Sequence, residues 1–110
     1  SLSFNGIQVE VYEFESFNIQ ELRSNMDKAL DAKTDTCCVM LGKSDKNYLL
    51  VTGVSQDLAD KIPASALISK MTEFHGGKGG GRNDFAQGAV EEKNFKKILN
   101  SIDDVLKSLA

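Results

Sequence analysis

The chain has no tryptophan, one proline (Pro63), one histidine (His75) and two cysteines, and each scarcity closes off a class of function. The cysteines, Cys37 and Cys38, are adjacent. Neighbours on a strand point to opposite faces, so their thiols are poorly placed to bond to each other. With His75 as the sole imidazole, a tetrahedral zinc site would need carboxylates from positions the sequence does not mark. The expectation is two buried structural thiols, no metal site, and a reducing, cytoplasmic setting. No apolar run approaches the roughly 18 residues that a bilayer span requires. Residues 1–6 lack both the basic and the apolar parts of a secretory leader, so no membrane partner is expected. Positive charge is also short: 13 Lys/Arg stand against 16 Asp/Glu, a net −3. A nucleic-acid contact would therefore come from a local patch and not from overall attraction.

What is present suits one soluble domain over residues 1–110, with 41% hydrophobic and 26% charged residues. The start at Ser1, without an initiator Met, gives the expectation of a segment from a longer protein. Ile7, Val9 and Val11 alternate with Gln8 and Glu10, the period of a half-buried strand. The phase shifts at Tyr12 and Phe14, which predicts a bulge or strand end near residue 12. Asn18 and Glu21 are spaced to cap a helix that carries Ile19, Leu22, Met26 and Ala29/Leu30 to about residue 32. Residues 37–41 are continuously apolar, as in a strand buried on both faces. A polar turn over 42–47 and a strand over 48–54 would complete a hairpin. After one helical turn within 55–61, Pro63 can open a helix bearing Ala64, Leu67, Ile68 and Met71. A final helix over 91–109 is predicted from Phe95, Ile98, Leu99, Ile102, Leu106 and Leu109. The fold class is α/β, a small mixed sheet of three or more strands packed with helices, in the order β-α-β-β-α-Gly loop-α.

Residues 76–88 are the most informative segment. Gly76, Gly77, Gly79, Gly80 and Gly81 fall within six positions, interrupted only by Lys78 and followed by Arg82. Glycine loses the most backbone entropy on ordering, so the run is expected to be a loop and neither helix nor strand. Without Cβ atoms, its N–H groups and two flanking cations could form an anion-binding concavity. A flexible connector between helices is the other reading. The segment is not a Walker phosphate loop, because Lys78 is followed by Gly79 where that motif places the Ser or Thr that holds magnesium. It also follows a predicted helix, whereas the nucleotide-binding glycine motifs follow a strand.

The same residues resemble the signature of the DHH-associated nucleic-acid-binding domain found at the C-terminus of alanyl-tRNA synthetases. From Gly76 to Gln87 the chain matches that pattern except at Asn83, where the family usually has Pro. The segment Gly53-Val54-Ser55-Gln56-Asp57 resembles the family's Gly-Val-Ser-x-Asp, and the likeness extends from about Ile7 to Leu109. Ala89 stands where family members often continue with glycine. Family members with phosphoesterase activity place a histidine inside the glycine motif; here His75 precedes it.

The resemblance implies a non-catalytic domain that helps hold tRNA(Ala), at its outer elbow, in support of aminoacylation and editing by other domains of one synthetase. ATP, magnesium and zinc would belong to those other domains, with no cofactor in this one. RNA contact is assigned to Gly76, Gly77, Lys78, Gly79, Gly80, Gly81, Arg82, Asn83 and Gln87. Arg82 offers parallel donors to phosphate and Lys78 a compact charge. Gln87 could bond a base edge or stabilise the loop. Phe85 could stack on a base, but the favoured role is a hydrophobic anchor. Lys43 and Lys46 could extend the basic patch. The rival function is a protein–protein module that dimerises the synthetase, leaving a homo-oligomer open. A third reading is an accessory domain of a phosphoesterase.

Overall fold

A computed structural model of the chain describes residues 2–4, 6–14, 18–43, 47–73 and 78–109. Six strands form one mixed sheet: β1 (Leu2–Phe4), β2 (Ile7–Phe14), β3 (Thr36–Lys43), β4 (Asn47–Val54), β5 (Lys78–Gly81) and β6 (Phe85–Glu91). Their spatial order is β1-β2-β3-β4-β6-β5. β2 and β3 run parallel, joined by α1 (Ile19–Leu30); every other pairing is antiparallel. α2 (Ala64–Glu73) follows a 3₁₀ turn at Gln56–Leu58, and two short helices, α3 (Phe95–Asn100) and α4 (Ile102–Leu109), close the chain.

The sheet has helices on both faces and therefore two cores. Val9, Cys37, Val39, Leu41 and Leu50 face α2, α3 and α4, where Leu67, Ile68, Met71, Ile98 and Ile102 bury them. Cys38, Met40 and Val51 face α1 and pack with Leu22 and Met26. This explains why β3 is apolar without alternation: each face meets its own helix layer.

The two-core plan also accounts for the phase shift in β2. The strand continues without a bulge to Phe14, in step with β3 from Gln8↔Thr36 to Phe14↔Gly42. Phe14 joins the α1 core while Val11 packs on the α2 core. A change of hydrophobic phase marks a change of partner layer, not a strand end.

The N-terminal cap of α1 forms as expected, with Asn18 Oδ1 accepting the Gln20 N–H at 2.9 Å. The helix stops at Leu30, and Ala32 has φ 57°. The hairpin of β3 and β4 and the helix opened by Pro63 are also as the sequence predicts.

Three further expectations are corrected. The glycine run is not wholly a loop: Lys78–Gly81 is β5, paired with β6 in the register Lys78↔Ala89 to Gly81↔Ala86. Pairing to one neighbour supplies the hydrogen bonds that offset glycine's entropy loss. The segment 85–91 is a strand whose inward residues are Ala86, Gly88 and Val90, too small to signal alternation. The single helix over 91–109 does not exist. Glu91 ends β6, a 3₁₀ turn spans Glu92–Asn94, and the helix breaks at Ser101. Ser101 Oγ donates to the Ile98 carbonyl at 2.8 Å, competing with the helical ladder. Ile98, Ile102 and Val105 nonetheless form a buried stripe.

Candidate functional site

The site is built around the tight connection between β5 and β6, residues 82–84. Four backbone bonds hold it. The Arg82 N–H donates to the Phe85 carbonyl at 2.8 Å, and the Val54 N–H donates to the Asp84 carbonyl at 3.3 Å. The first turn of α2 contributes the other two: Ala64 N–H to the Asn83 carbonyl at 2.8 Å, and Ser65 N–H to the Arg82 carbonyl at 3.0 Å. Thus two orphan donors at the start of α2 are used to fix the turn. Arg82 springs from a constrained backbone while its side chain stays 67% exposed.

The glycines divide into two kinds. Gly81 has φ 155°, and a Cβ there would lie 2.6 Å from the Ala86 Cα and 2.7 Å from the Phe85 carbonyl oxygen. It is a glycine for structural reasons. Gly80 has no heavy atom within 4 Å of the place its Cβ would occupy. Internal packing does not demand glycine there, and the bare backbone faces open space. Lys78 and Gly79 lie in β5. Gly76, Gly77, His75 and Lys46 lie outside the described residues.

Register places Gly80 opposite Gln87 and Gly81 opposite Ala86. Phe85, Gln87 and Ala89 alternate with buried Ala86, Gly88 and Val90, so the first three share the α1 face of the sheet. α1 lies over β3 and β4, leaving the flank of β6 and β5 exposed at Gln87 and Ala89. Phe85 is half-buried and packs against the α1 core, the anchoring role expected of it.

One residue of the site was not predicted. The Arg23 guanidinium of α1 lies over the Phe85 ring, 4.8 Å from its centroid. Arg23 borders the apolar stripe of α1, being one residue after Leu22, but no sequence signal ties it to a strand more than two elements away. Two adjoining hollows share Arg23, Arg82 and Phe85. One, about 380 Å³, is completed by Gly80, Gly81, Ala86 and Gln87. The other, about 450 Å³, runs along α1 and carries Asp27, Asp31 and Asp84. Asp84 Oδ1 is 3.7 Å from Arg82 Nε, a loose ion pair with both partners more than half exposed. Such a pair contributes at most about 1 kcal/mol.

Chemistry of other kinds is sparse. Cys37 and Cys38 are buried, and loss of water around them pushes their thiols up to about 11 and about 12; the Glu10 carboxylate adds to the second. They are not nucleophiles near neutral pH. Lys43 is exposed at the end of β3, and Glu91 pairs with Lys93 at 3.1 Å beyond β6, neither adjoining the two hollows. Among the described residues no three His, Cys, Asp or Glu side chains are grouped to hold a metal, and no helix is long and apolar enough to cross a membrane.

A family model described as DHHA1 domain matches residues 6–108. The chain is 39% identical over 106 residues to an alanine–tRNA ligase of Staphylococcus saprophyticus and 36% identical to one of Staphylococcus aureus. These alignments take in 96% of the chain but only 12% of each ligase. Among solved structures, the C-Ala domain of Aquifex aeolicus alanyl-tRNA synthetase superposes with a TM-score of 0.80 at 25% identity, covering 89% of both chains.

Proposed function

The chain belongs to the DHHA1 domain family, and from that membership we propose that it is the C-terminal accessory domain of an alanyl-tRNA synthetase, acting in the cytoplasm to hold tRNA(Ala). In this reading the parent is an alanine–tRNA ligase whose ATP, magnesium and zinc chemistry lies in other domains. The domain itself is a non-catalytic binding module. The carrying observation is the β5–β6 hairpin: bare backbone at Gly80, an exposed Arg82 on a fixed turn, and Gln87 across the register. Absence of a Cβ at Gly80 lets a phosphate come close to peptide N–H groups, and Arg82 can give it two parallel donors. Gly76, Gly77, Lys78, Gly79, Gly81 and Asn83 complete the proposed contact. Recognition of a folded RNA in this way rests on shape, phosphate and 2′-hydroxyl groups more than on base edges.

Titration of tRNA at several salt concentrations tests the reading. Lys78→Ala and Arg82→Ala should each weaken binding and lower the salt slope by about one. Unchanged affinity and slope in both would remove the hairpin from the interface. The rival reading, a dimerisation module, draws no comparable support. Among the residues whose side chains are described, Tyr12, 39% exposed, is the one large apolar group left in solvent; Phe95, Leu99, Leu106 and Leu109 of the last two helices lie outside that set.

A further inference from the structure

The sheet flank beside α1 is not uniform in charge, and that asymmetry says where an RNA strand can lie. The hollow bordered by Gly80, Gly81 and Gln87 has Arg23 and Arg82 among its lining residues and no acidic side chain. Its neighbour along α1 shares both arginines but adds three carboxylates, Asp27, Asp31 and Asp84. A phosphate is attracted by the first and repelled by the second. Arg23 is also held ready. With its guanidinium 4.8 Å from the centroid of the Phe85 ring, which is itself anchored in the α1 core, the group loses less freedom on binding than a solvated arginine would.

We infer that Arg23 and Arg82 together grip one backbone phosphate of the RNA in the glycine-floored hollow on the α1 face. The inference rests on the tRNA-binding reading and adds to it a residue from a different element. It also fixes the approach of the strand: over β6 and β5 from the α1 side, away from the carboxylates. The guanidinium is planar by resonance, and its seat over the Phe85 ring restricts where its paired donors can point, which suits two parallel hydrogen bonds to a phosphate. The loose pairing of Arg82 with Asp84 is weak enough for a phosphate to displace.

The test is a double-mutant cycle on the 110-residue chain, with fluorescently labelled tRNA at several salt concentrations and melting curves for every variant. Arg23→Ala should weaken binding about tenfold and lower the salt slope by about one, while the melting temperature falls by only a few degrees. Arg23→Lys should keep the slope, because the charge remains, yet bind less tightly than wild type because the paired donors are gone. Arg23→Ala combined with Arg82→Ala should cost clearly less than the product of the single losses, since both act on one phosphate. Strict multiplicativity would place the arginines on separate phosphates and overturn the grip. Wild-type affinity and slope in Arg23→Ala, with Arg82→Ala or Lys78→Ala still impaired, would overturn this inference and leave the tRNA reading standing. If the unaltered chain binds no tRNA, the tRNA reading itself falls, and this inference with it.

Discussion

Met26 packs on Gly53 so closely that a Cβ on the glycine would lie 2.5 Å from the Met26 sulfur and 2.8 Å from its Cγ. α1 is therefore seated directly on the backbone of β4, and the arginine at position 23 inherits its place from that contact. Gly53→Ala should lower stability by about 1–3 kcal/mol, read from the urea midpoint, because the added methyl overpacks the α1 core. Gly53→Val should cost more. Stability unchanged in both would mean that the Met26 side chain turns aside without cost and that the close contact does not seat α1.

The two exposed glycines of β5 should respond in opposite ways. Gly81→Ala meets Ala86 and a backbone angle that side chains avoid, so a loss on the order of 1–3 kcal/mol is expected. Gly80→Ala should change stability by less than about 0.5 kcal/mol, since nothing lies within 4 Å. If Gly80→Val weakens tRNA binding while its urea midpoint holds, the open space above Gly80 is a place of contact.

The thiols of Cys37 and Cys38 should resist alkylating reagents in the folded domain and react once it is unfolded. Their raised pKa values also give a sign for alkaline pH. Below the ordinary value of 9 both folded and unfolded thiols are protonated; above it the unfolded thiols ionise first. Stability should thus decline as pH rises from about 9 through the folded values of about 11 and about 12. A Cys37→Ala/Cys38→Ala variant, although less stable at neutral pH, should lose that part of the decline. Rapid labelling of the native protein would contradict the buried assignment.

At the other end of the pH scale the relevant group is Asp57. Its carboxylate bonds with Ser55 and accepts the Asp35 backbone N–H at 2.9 Å, and these bonds lower its pKa below 3.8. Its contribution is complete above the unfolded value and is lost as pH falls through the lowered folded value. Asp57→Ala should reduce the melting temperature near neutral pH and narrow the gap between wild type and variant in strong acid. An equal gap at both pH values would show that the carboxylate charge plays no part.

The central fold was legible because its signals are local and strong. The apolar run over 37–41, the cap at Asn18 and the opening at Pro63 each announce one element without help from the rest of the chain. β5 was hidden because three of its four residues are glycine, and β6 because two of its three inward residues, Ala86 and Gly88, give hydrophobic periodicity almost nothing to register. β1 is only three residues long; Gly6, at φ 83°, turns the chain back from it into β2. The helix break at Ser101, where the side chain bonds to the Ile98 carbonyl, falls inside a pattern that otherwise reads as continuous. At the site, the glycines and Arg82 could be selected by composition and motif. Arg23 could not, because its meeting with Phe85 depends on how α1 crosses β4, a relation between elements that no local spacing encodes.

The sheet order has a consequence for when this domain becomes able to act. β3 and β4 are hairpin neighbours, but the 3₁₀ turn at Gln56–Leu58, α2 and β5 come between β4 and β6 in the chain, and Thr52 lies opposite Ala86. Ladders between distant segments form late, because the loop must close before the contact repays it. On a ribosome, which delivers the chain from its N-terminus, the nascent domain would carry a folded centre before it had any surface for a ligand. Pulse-labelled hydrogen exchange during refolding should accordingly protect the amides of β3 and β4 ahead of those of β6. If the domain holds tRNA as proposed, this order of events would leave a half-made chain without the surface that captures it.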